Sequence, residues 1–530
     1  MVKKLYYFYV LILGIIILFP ISGIINKFNF DYTYIKDFFQ NRYNLRLVYF
    51  TFYQAFLSAS ISCILAIIFS LSMFRRRKNF FTKIAISLSG YSFVLPTILI
   101  VFSVIGIFGI NGLLNNIFNF YNLLNIKSIF GLKGILIAHI LLNTPFATRI
   151  FYQNLNSIPK NFVDVAKSMN FNFYSNFINI EWPIIKQNIY STFSIIFIIC
   201  FLSFPIVMAL GGGPKNSTLE VSIYESIFYE LNFNKAIIIS FVQIIICLIF
   251  LIFGFIKFKG SGYFNILTDD FDYIFENNKI IKFLDNGIIY TFSLIFFSPI
   301  LFILVIFLKQ IIELDLNFNE YIIHPLTNSI MLSNLTAILV TFNGLVLSQI
   351  LILMRNDYLK QQFLFLLTSI ILVVSPIIIS LGYYINLGEL RYFNGINFFI
   401  IILINFIFIL PFSILIFFTK LKNIYIDFQD IKNSFNISNL SFFKIIFPLI
   451  KKEIYFIYAF STALSFGDFT VISFFKNENF QTLPTLLYRL IISYRFEEAS
   501  YVAGLILIIS LFFYLIIDYK FYKFMPDKRI

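Results

Sequence analysis

Long apolar runs recur along the chain, and they constrain its fold more than any other feature. Each is at least as long as the roughly 17–25 residues that a helix needs to cross a bilayer. The bilayer core holds no water to bond exposed backbone groups, so each run is predicted to be a helix. The sequence predicts about twelve transmembrane helices, at residues 5–25, 47–72, 84–109, 134–153, 189–210, 235–257, 287–308, 327–354, 362–385, 397–418, 454–475 and 500–519.

Composition agrees with a membrane protein and argues against other classes. Apolar residues make up 59% of the 530 residues, above the roughly 45–50% that is usual in soluble domains. The net charge of +14 would suit a nucleic-acid partner, but the basic residues flank the apolar runs and form no basic domain. We therefore expect an all-α integral membrane protein that contacts lipid and binds no nucleic acid.

The distribution of Lys and Arg predicts the orientation of the chain. An even number of spans puts both termini on one side, and that side then carries about twice as many Lys and Arg as the other. Positive residues favour the cytoplasmic side of short loops. Both termini and the basic cluster from Arg75 to Lys78 are therefore predicted to be cytoplasmic. The first apolar run lacks the cleavage site of a signal peptide, so it is predicted to be the first span.

The two halves of the chain repeat each other. Pro145-Phe146 returns as Pro411-Phe412, and Pro183 returns as Pro448, at offsets of 266 and 265 residues. An even number of spans separates the copies, so the repeat is parallel, as in transporters whose halves face each other. The predicted domains are 1–46 (first helix and external loop), 47–257 (repeat 1), 258–326 (cytoplasmic linker, seventh helix and external loop), 327–519 (repeat 2) and 520–530 (cytoplasmic tail).

A polar island separates the fourth and fifth predicted spans. It starts with an acidic residue and a small pair, continues with an Asn, and ends with an Ile-x-x-Pro sequence. This pattern resembles the cytoplasmic coupling loop of ABC-transporter permeases, with Asn in place of the family's Gly; Asn tolerates the left-handed backbone that Gly adopts. The other interpretation is an amphipathic connector between two helices. The residues that carry the resemblance are Asp164, Val165, Ala166, Asn170, Ile180 and Pro183.

A degraded copy of this island follows the tenth predicted span. It has lost the small pair, and its spacing before the Ile-x-x-Pro sequence is one residue shorter. We expect each island to form a short helix that lies against a docked ATPase, with Ala166 allowing close approach in the first. The second loop is expected to couple more weakly than the first. The corresponding residues are Asp430, Ile431, Asn436, Ile445 and Pro448.

Motifs for catalysis, nucleotide binding or metal binding do not occur in the sequence. There is no phosphate-binding loop, and the three Cys and two His lack metal-ligand spacing. The chain is therefore not expected to be an enzyme or to hold a cofactor or metal. An ion-coupled carrier should hold paired carboxylates within its spans, and a membrane-embedded enzyme should show acidic or His motifs at a membrane face. The sequence lacks both, and His139 is interpreted as an interhelical hydrogen-bonding residue.

Two stretches that the topology puts outside extend the resemblance. A triple-Gly loop follows the fifth span, and a Thr-Leu-x4-Tyr segment occurs in both repeats. With the length, the duplication and the coupling loops, they resemble the thiamine (and thiamine pyrophosphate) ABC transporter permeases, whose close neighbours are the ferric-iron importer permeases. The external residues that carry the resemblance are Gly211, Gly212, Gly213, Pro214, Thr218, Tyr224, Thr482 and Tyr488.

The resemblance implies a type I importer permease of the bacterial inner membrane. In such importers a periplasmic binding protein delivers the substrate to the external loops, and two copies of a separate ATPase dock on the coupling loops. The implied function is ATP-driven import of thiamine or thiamine phosphates by alternating access. Import of ferric iron or another small solute is the alternative.

Asp468 is the candidate residue of the substrate pathway. Thiamine carries a permanent positive charge, and cation–π contacts of about 0.5–2 kcal/mol each are too weak to offset the burial of a charge. Asp468 is the carboxylate predicted inside the spans of repeat 2, just after Ser465-Phe466-Gly467. The copy in repeat 1 is Ser203-Phe204-Pro205, so both repeats are predicted to interrupt a helix here. The alternative is that Asp468 only caps the broken helix.

The predicted topology can be tested by cysteine labelling in intact cells. A membrane-impermeant maleimide is expected to label Lys215→Cys, in the triple-Gly loop, and to leave Ser168→Cys, in the first coupling loop, unlabelled until the membrane is permeabilised. Labelling of Ser168→Cys from outside would contradict both the topology and the coupling assignment.

Overall fold

A computed structural model of the chain describes residues 2–28, 32–120, 128–257, 279–313, 319–354, 357–369, 374–388, 390, 394–435, 439–475 and 480–522. Within these ranges, ten helices are long and apolar enough to cross a bilayer. The protein is an all-α integral membrane protein with multiple spans, which confirms the fold class predicted from the sequence.

The helices are named here in chain order. The first eleven are α1 (Val2–Lys27), α2 (Tyr32–Gln40), α3 (Arg42–Arg75), α4 (Phe80–Tyr91), α5 (Thr97–Phe108), α6 (Leu113–Phe120), α7 (Leu132–Asn156), α8 (Lys160–Ser168), α9 (Phe173–Asn176), α10 (Trp182–Phe201) and α11 (Pro205–Leu210). The remaining eleven are α12 (Leu219–Phe228), α13 (Phe233–Lys257), α14 (Lys279–Glu313), α15 (Asn319–Leu353), α16 (Tyr358–Ser369), α17 (Pro376–Leu387), α18 (Asn394–Ser434), α19 (Asn439–Phe466), α20 (Thr470–Phe475), α21 (Leu483–Ile492) and α22 (Phe496–Tyr522).

The chain forms two compact units, and neither is a continuous stretch of sequence. The repeat-1 unit comprises Asp31–Leu314 and Ile491–Leu507. The repeat-2 unit comprises Met1–Phe30, Asp315–Leu490 and Ile508–Ile530. The helix in front of each repeat therefore belongs to the unit of the other repeat: α1 packs on α17, and α14 packs on α3, α4 and α5. The domain boundaries predicted from the sequence stay predictions.

Close backbone approach holds α1 against α17. A Cβ atom on Gly382 would lie 2.2 Å from the carbonyl oxygen of Pro20, and one on Gly23 would lie 2.7 Å from the carbonyl oxygen of Gly382. The hydroxyl of Tyr383 donates to the carbonyl of Ile16 at 2.9 Å. Small residues at such crossings allow membrane helices to pack backbone to backbone.

Four of the predicted spans are interrupted rather than continuous. The span predicted at 84–109 consists of α4 and α5, with a break just before Pro96. The span predicted at 362–385 consists of α16 and α17, with a break just before Pro376; residues 370–373 lie outside the described ranges. The prediction of single helices there is wrong because proline disfavours helical backbone in the residue before it. The spans predicted at 189–210 and 454–475 break after Phe201 and Phe466, and short α11 and α20 follow. This pair of breaks confirms the interruption predicted in both repeats.

The two units share one packing plan. In the repeat-1 unit α3 packs on α7 and α10, and in the repeat-2 unit α15 packs on α18 and α19. Buried polar side chains join these helices at equivalent places. Ser58 contacts Nδ1 of His139 at 3.1 Å, which agrees with an interhelical role for that His. In the repeat-2 unit Asn405 donates to Ser465 at 3.2 Å, and Ser465 donates to Thr336 at 3.3 Å.

The packing of α1 on α17 can be tested with a matched pair of glycine substitutions. Gly382→Ala puts a methyl group onto the backbone of Pro20 and is expected to destabilise the protein by about 1–3 kcal/mol, the usual cost of overpacking. Gly14→Ala, on the same pair of helices, meets no atom within 4 Å and should leave the melting temperature in detergent unchanged or raised. Equal melting temperatures for the two variants would contradict this packing.

Candidate functional site

The first polar island folds as a short helix with a left-handed end. Helix α8 begins directly after Pro159, and Asn170 follows it with a φ of +51°. The amide of Phe171 donates to the carbonyl of Ala166 at 3.0 Å, which closes the helix in the manner of a C-terminal cap. The expectation that Asn adopts a left-handed backbone at the family's Gly position is confirmed.

The two faces of α8 differ sharply in exposure. Val163 and Ala166 are buried against the chain itself, at 0% and 1% exposure. Phe162, Val165 and Met169 are 55–63% exposed, and their spacing of three and four residues puts them on one helical face. Asp164 and Asn170 are exposed as well. The expectation that Ala166 faces a docked partner is wrong, because its helical position turns it inward; the apolar ridge Phe162–Val165–Met169 is the outward surface.

The end of the island is tied into the following membrane helix. After α9, the chain makes one π-helical turn, Phe177–Glu181, and runs directly into α10. Ile180 is buried and Pro183 is exposed in the first turn of α10. The first amide of α10 has a partner in that π-helical turn, because Trp182 donates to the carbonyl of Phe177. We call residues 160–183, from α8 to the start of α10, the coupling segment.

A buried ionic cluster anchors the coupling segment, and sequence reasoning missed it. The guanidinium of Arg75, at the end of α3, donates from Nε to Oε1 of Glu181 at 2.9 Å and from Nη2 to Oε2. Glu181 is 0% exposed. Arg76 donates to Asp285 of α14 at 3.1 Å. An acidic residue inside the Ile-x-x-Pro sequence, Glu181, was a signal that an ion pair could form there. The basic cluster from Arg75 to Lys78 was interpreted only as a marker of topology.

The second polar island has a different structure. Helix α18 continues through Asp430 and Ile431 to Ser434, so no separate short helix forms. At the position of Pro159 the second repeat has Tyr425, and without proline nothing in the sequence ends the helix. This corrects the expectation of a second helix like α8. Ile445 and Pro448 are exposed on α19, while Asn436 and the side chains of Asp430 and Ile431 lie outside what the structure describes.

The triple-Gly loop is an exposed turn that needs its glycines. Gly212 and Gly213 have φ values of +69° and +122°, which residues with a Cβ rarely adopt. Gly211 is buried, and the side-chain Nδ2 of Asn216 donates to its carbonyl at 3.1 Å. The exposed tip runs from Gly212 through Pro214 to Lys215.

The other four residues of the external prediction are buried. Thr218, Tyr224, Thr482 and Tyr488 are 0–9% exposed. Tyr224 packs on Phe204 with ring centroids 5.4 Å apart, and Tyr488 packs on Phe469 at 4.8 Å. The expectation that these four contact a partner is therefore wrong: the repeated Thr-Leu-x4-Tyr segment builds a short helix whose Tyr packs beside the broken helix.

A hydroxyl group from a neighbouring helix caps that short helix in both units. The amide of Leu219, the first residue of α12, donates to the hydroxyl of Thr51 at 3.0 Å. The amide of Leu483, the first residue of α21, donates to the hydroxyl of Ser329 at 2.9 Å. Each hydroxyl also donates to its own helix, Thr51 to the carbonyl of Leu47 and Ser329 to that of Pro325.

Two strained, exposed turns follow these short helices. Leu231 lies between α12 and α13 with a φ of +54°, and Tyr494 lies between α21 and α22 with a φ of +59°. Their side chains are 73% and 79% exposed. Bulky residues rarely hold a positive φ, and such strain concentrates at functional sites. Tyr229 and Ile492, two residues before each turn residue, are also more than half exposed.

Asp468 caps the second half of the broken helix in repeat 2. Its Oδ1 accepts a hydrogen bond from the amide of Val471 at 3.2 Å, at the start of α20. Its Oδ2 is buried, and the side chain of Asn405 and the amide of Thr470 also interact with the carboxylate. The cap agrees with the structural interpretation of this residue.

These features define a class of protein: a multi-pass helical membrane permease with two repeats, broken helices and an exposed helix between two spans. Comparison with known proteins is more specific. The chain is 30% identical over 481 residues to "Thiamine transport system permease protein ThiP" of Haemophilus influenzae, with 89% of this chain and 88% of that protein covered. It is 27% identical over 500 residues to the protein of that name from Escherichia coli, with 90% and 89% covered.

The protein of the same name from Salmonella typhimurium is 26% identical over 492 residues, with 90% of this chain and 89% of that protein covered. No family model matches the chain. The extent of these matches shows that the chain belongs to the family of thiamine transport system permease proteins.

Proposed function

We propose that this chain is the permease subunit of an importer that moves thiamine or thiamine phosphates across the bacterial inner membrane. The observation that carries the proposal is the match to thiamine transport permeases along 89% of the chain. ATP hydrolysis in a separate subunit drives the transport, and both termini of the permease are cytoplasmic. The chain itself carries both repeats, so one copy supplies both halves of the permease.

The apolar ridge of α8 is the proposed docking surface for the ATPase. Phe162, Val165 and Met169 are large apolar side chains on a helix that lies outside the long apolar spans, and their exposure of 55–63% favours a protein cover. An amphipathic helix that inserts its apolar face into a groove is a common mode of recognition. A second ATPase copy docks near the end of α18 and the start of α19, where the absence of a separate helix favours weaker coupling.

The proposed docking surface for the periplasmic binding protein consists of exposed turns. The tip from Gly212 to Lys215 is one part, and the strained turns at Leu231 and Tyr494 are the others. Exposed aromatic and aliphatic side chains that are held rigidly are favourable contact residues, because little conformational entropy is lost on binding. Their occurrence after the same short helix in both repeats supports a shared role.

Substitution of adjacent residues of α8 tests the docking surface. Val165→Glu puts a charge on the exposed ridge and is expected to abolish co-purification of the ATPase while the melting temperature of the permease stays unchanged. Ala166→Glu buries an unpaired charge and is expected to lower that melting temperature in the absence of any partner. If the Val165→Glu variant retains the ATPase at the normal ratio, α8 is only a connector.

Asp468 is proposed to face the thiazolium cation along the pathway. In cells that lack their own thiamine permease, the unaltered chain with its partners should restore uptake of radiolabelled thiamine; uptake of ferric iron instead would overturn the proposed substrate.

Asp468→Asn keeps the cap, since Asn caps helices as well as Asp, and is expected to reduce thiamine uptake at normal membrane levels. Unchanged uptake kinetics in this variant would leave Asp468 with the cap alone.

A further inference from the structure

Arg75 lies at the junction of three parts of the repeat-1 unit. It ends α3, it forms two hydrogen bonds to Glu181 of the coupling segment, and its Nη1 lies 4.0 Å from Oδ1 of Asp285 in α14. Arg76 adds a shorter contact to the same carboxylate, 3.1 Å from Nε to Oδ2. Movement of any one of these three parts must therefore move or break a contact to the others.

The coupling segment holds Arg75 at two points. Besides the carboxylate of Glu181, the ring of Phe173 in α9 lies under the guanidinium, 4.3 Å from its carbon to the ring centroid. A planar guanidinium can pair with a carboxylate at its edge and stack on a ring with its face. Phe173 precedes the π-helical turn Phe177–Glu181, and Glu181 is the last residue of that turn. Such π-turns are often found at functional sites.

Stability alone is a poor explanation for this cluster. Glu181 and Asp285 are 0% and 3% exposed, and the desolvation of buried charges offsets most of their mutual attraction. Apolar residues of similar size would hold the same helices together at least as well. The bidentate geometry instead fixes the orientation of the two partners.

Among the described residues of repeat 2, no buried ion pair corresponds to this cluster. Glu181 corresponds to Ile446 at the repeat offset of 265 residues that Pro183 and Pro448 define. The nearest ion pair in the described part of repeat 2 joins Lys420 of α18 to Glu453 of α19 at 3.5 Å, and both side chains are partly exposed. The buried ion pair therefore occurs in repeat 1, the repeat whose coupling island is intact.

We propose that Arg75 is a positioning residue that fastens the coupling segment to α3 and α14, so that displacement of α8 by the ATPase moves these helices. This inference rests on the proposed function. The Phe173 ring and the two carboxylates form the fastening, and Arg75 is their common partner. Repeat 1 therefore carries most of the mechanical coupling, and the second loop contributes less to it.

The test measures thiamine taken up per ATP hydrolysed by the complete complex in proteoliposomes. Glu181→Gln keeps the shape and removes the charge, and Phe173→Leu removes the stacked ring without exposing a charge. Both are expected to lower this ratio, Glu181→Gln by about tenfold, within the usual range of coupling between sites, while ATP hydrolysis persists. Lys420→Gln, which breaks the ion pair of repeat 2, is the matched control and should leave the ratio unchanged.

A double variant separates positioning from folding. Arg75→Met combined with Glu181→Met replaces the ion pair by apolar contacts, so the protein should fold, and Asp285 keeps Arg76. A low ratio in this variant supports positioning by the ionic contact, even if Glu181→Gln does not reach the membrane. A normal ratio in the double variant, or in a Glu181→Gln variant that reaches the membrane, would overturn the inference. Uptake by the unaltered complex is measured first, so a wrong substrate appears there and is distinguishable from failure of the variants.

Discussion

The need to satisfy backbone groups at interrupted helices governs the rest of this structure. Each repeat breaks a membrane helix twice, and every break frees amides and carbonyls that lipid cannot bond. Part of this need is met at the breaks themselves: Asp468 accepts from the amide of Val471 at the start of α20. The short helices α12 and α21, whose Tyr residues pack beside the second break, are capped by Thr51 and Ser329, which accept from their first amides. Ser375 caps α17 from within its own turn, with its hydroxyl accepting from the amide of Ile378 at 3.2 Å. The two repeats therefore share equivalent capping hydrogen bonds even where different residue types make them.

Much of the fold could be predicted because lipid imposes a simple rule of length and polarity. The apolar runs predicted the membrane helices. The Ser-Phe pair that recurs in both repeats predicted an interrupted helix, which the structure has after Phe201 and Phe466. The left-handed backbone of Asn170 was also accessible, because Asn is among the few residues that tolerate it. The breaks before Pro96 and Pro376 were missed, since each lies in a long run without any charged residue.

The remaining features depend on which neighbours surround a helix, and a single sequence does not state this. Ala166 and Val165 are adjacent small apolar residues, yet one is buried and the other exposed. Tyr224 lies near an exposed loop in sequence but packs beside a broken helix in space. The exchange of α1 and α14 between the units of the two repeats leaves no pattern in the sequence. The pairing of Arg75 with Glu181 joins residues 106 positions apart, which charge counting assigned to topology.

The two proposed coupling regions of this permease are uneven: repeat 1 has an exposed helix with a buried ionic anchor, and repeat 2 has a continuous membrane helix. ATP-driven thiamine transport is tested most directly by reconstitution. Proteoliposomes that contain the permease and its ATPase, with ATP enclosed and the binding protein outside, are predicted to accumulate radiolabelled thiamine against a gradient. A non-hydrolysable ATP analogue should abolish the accumulation. Hydrolysis of ATP without any accumulation of thiamine would contradict the account.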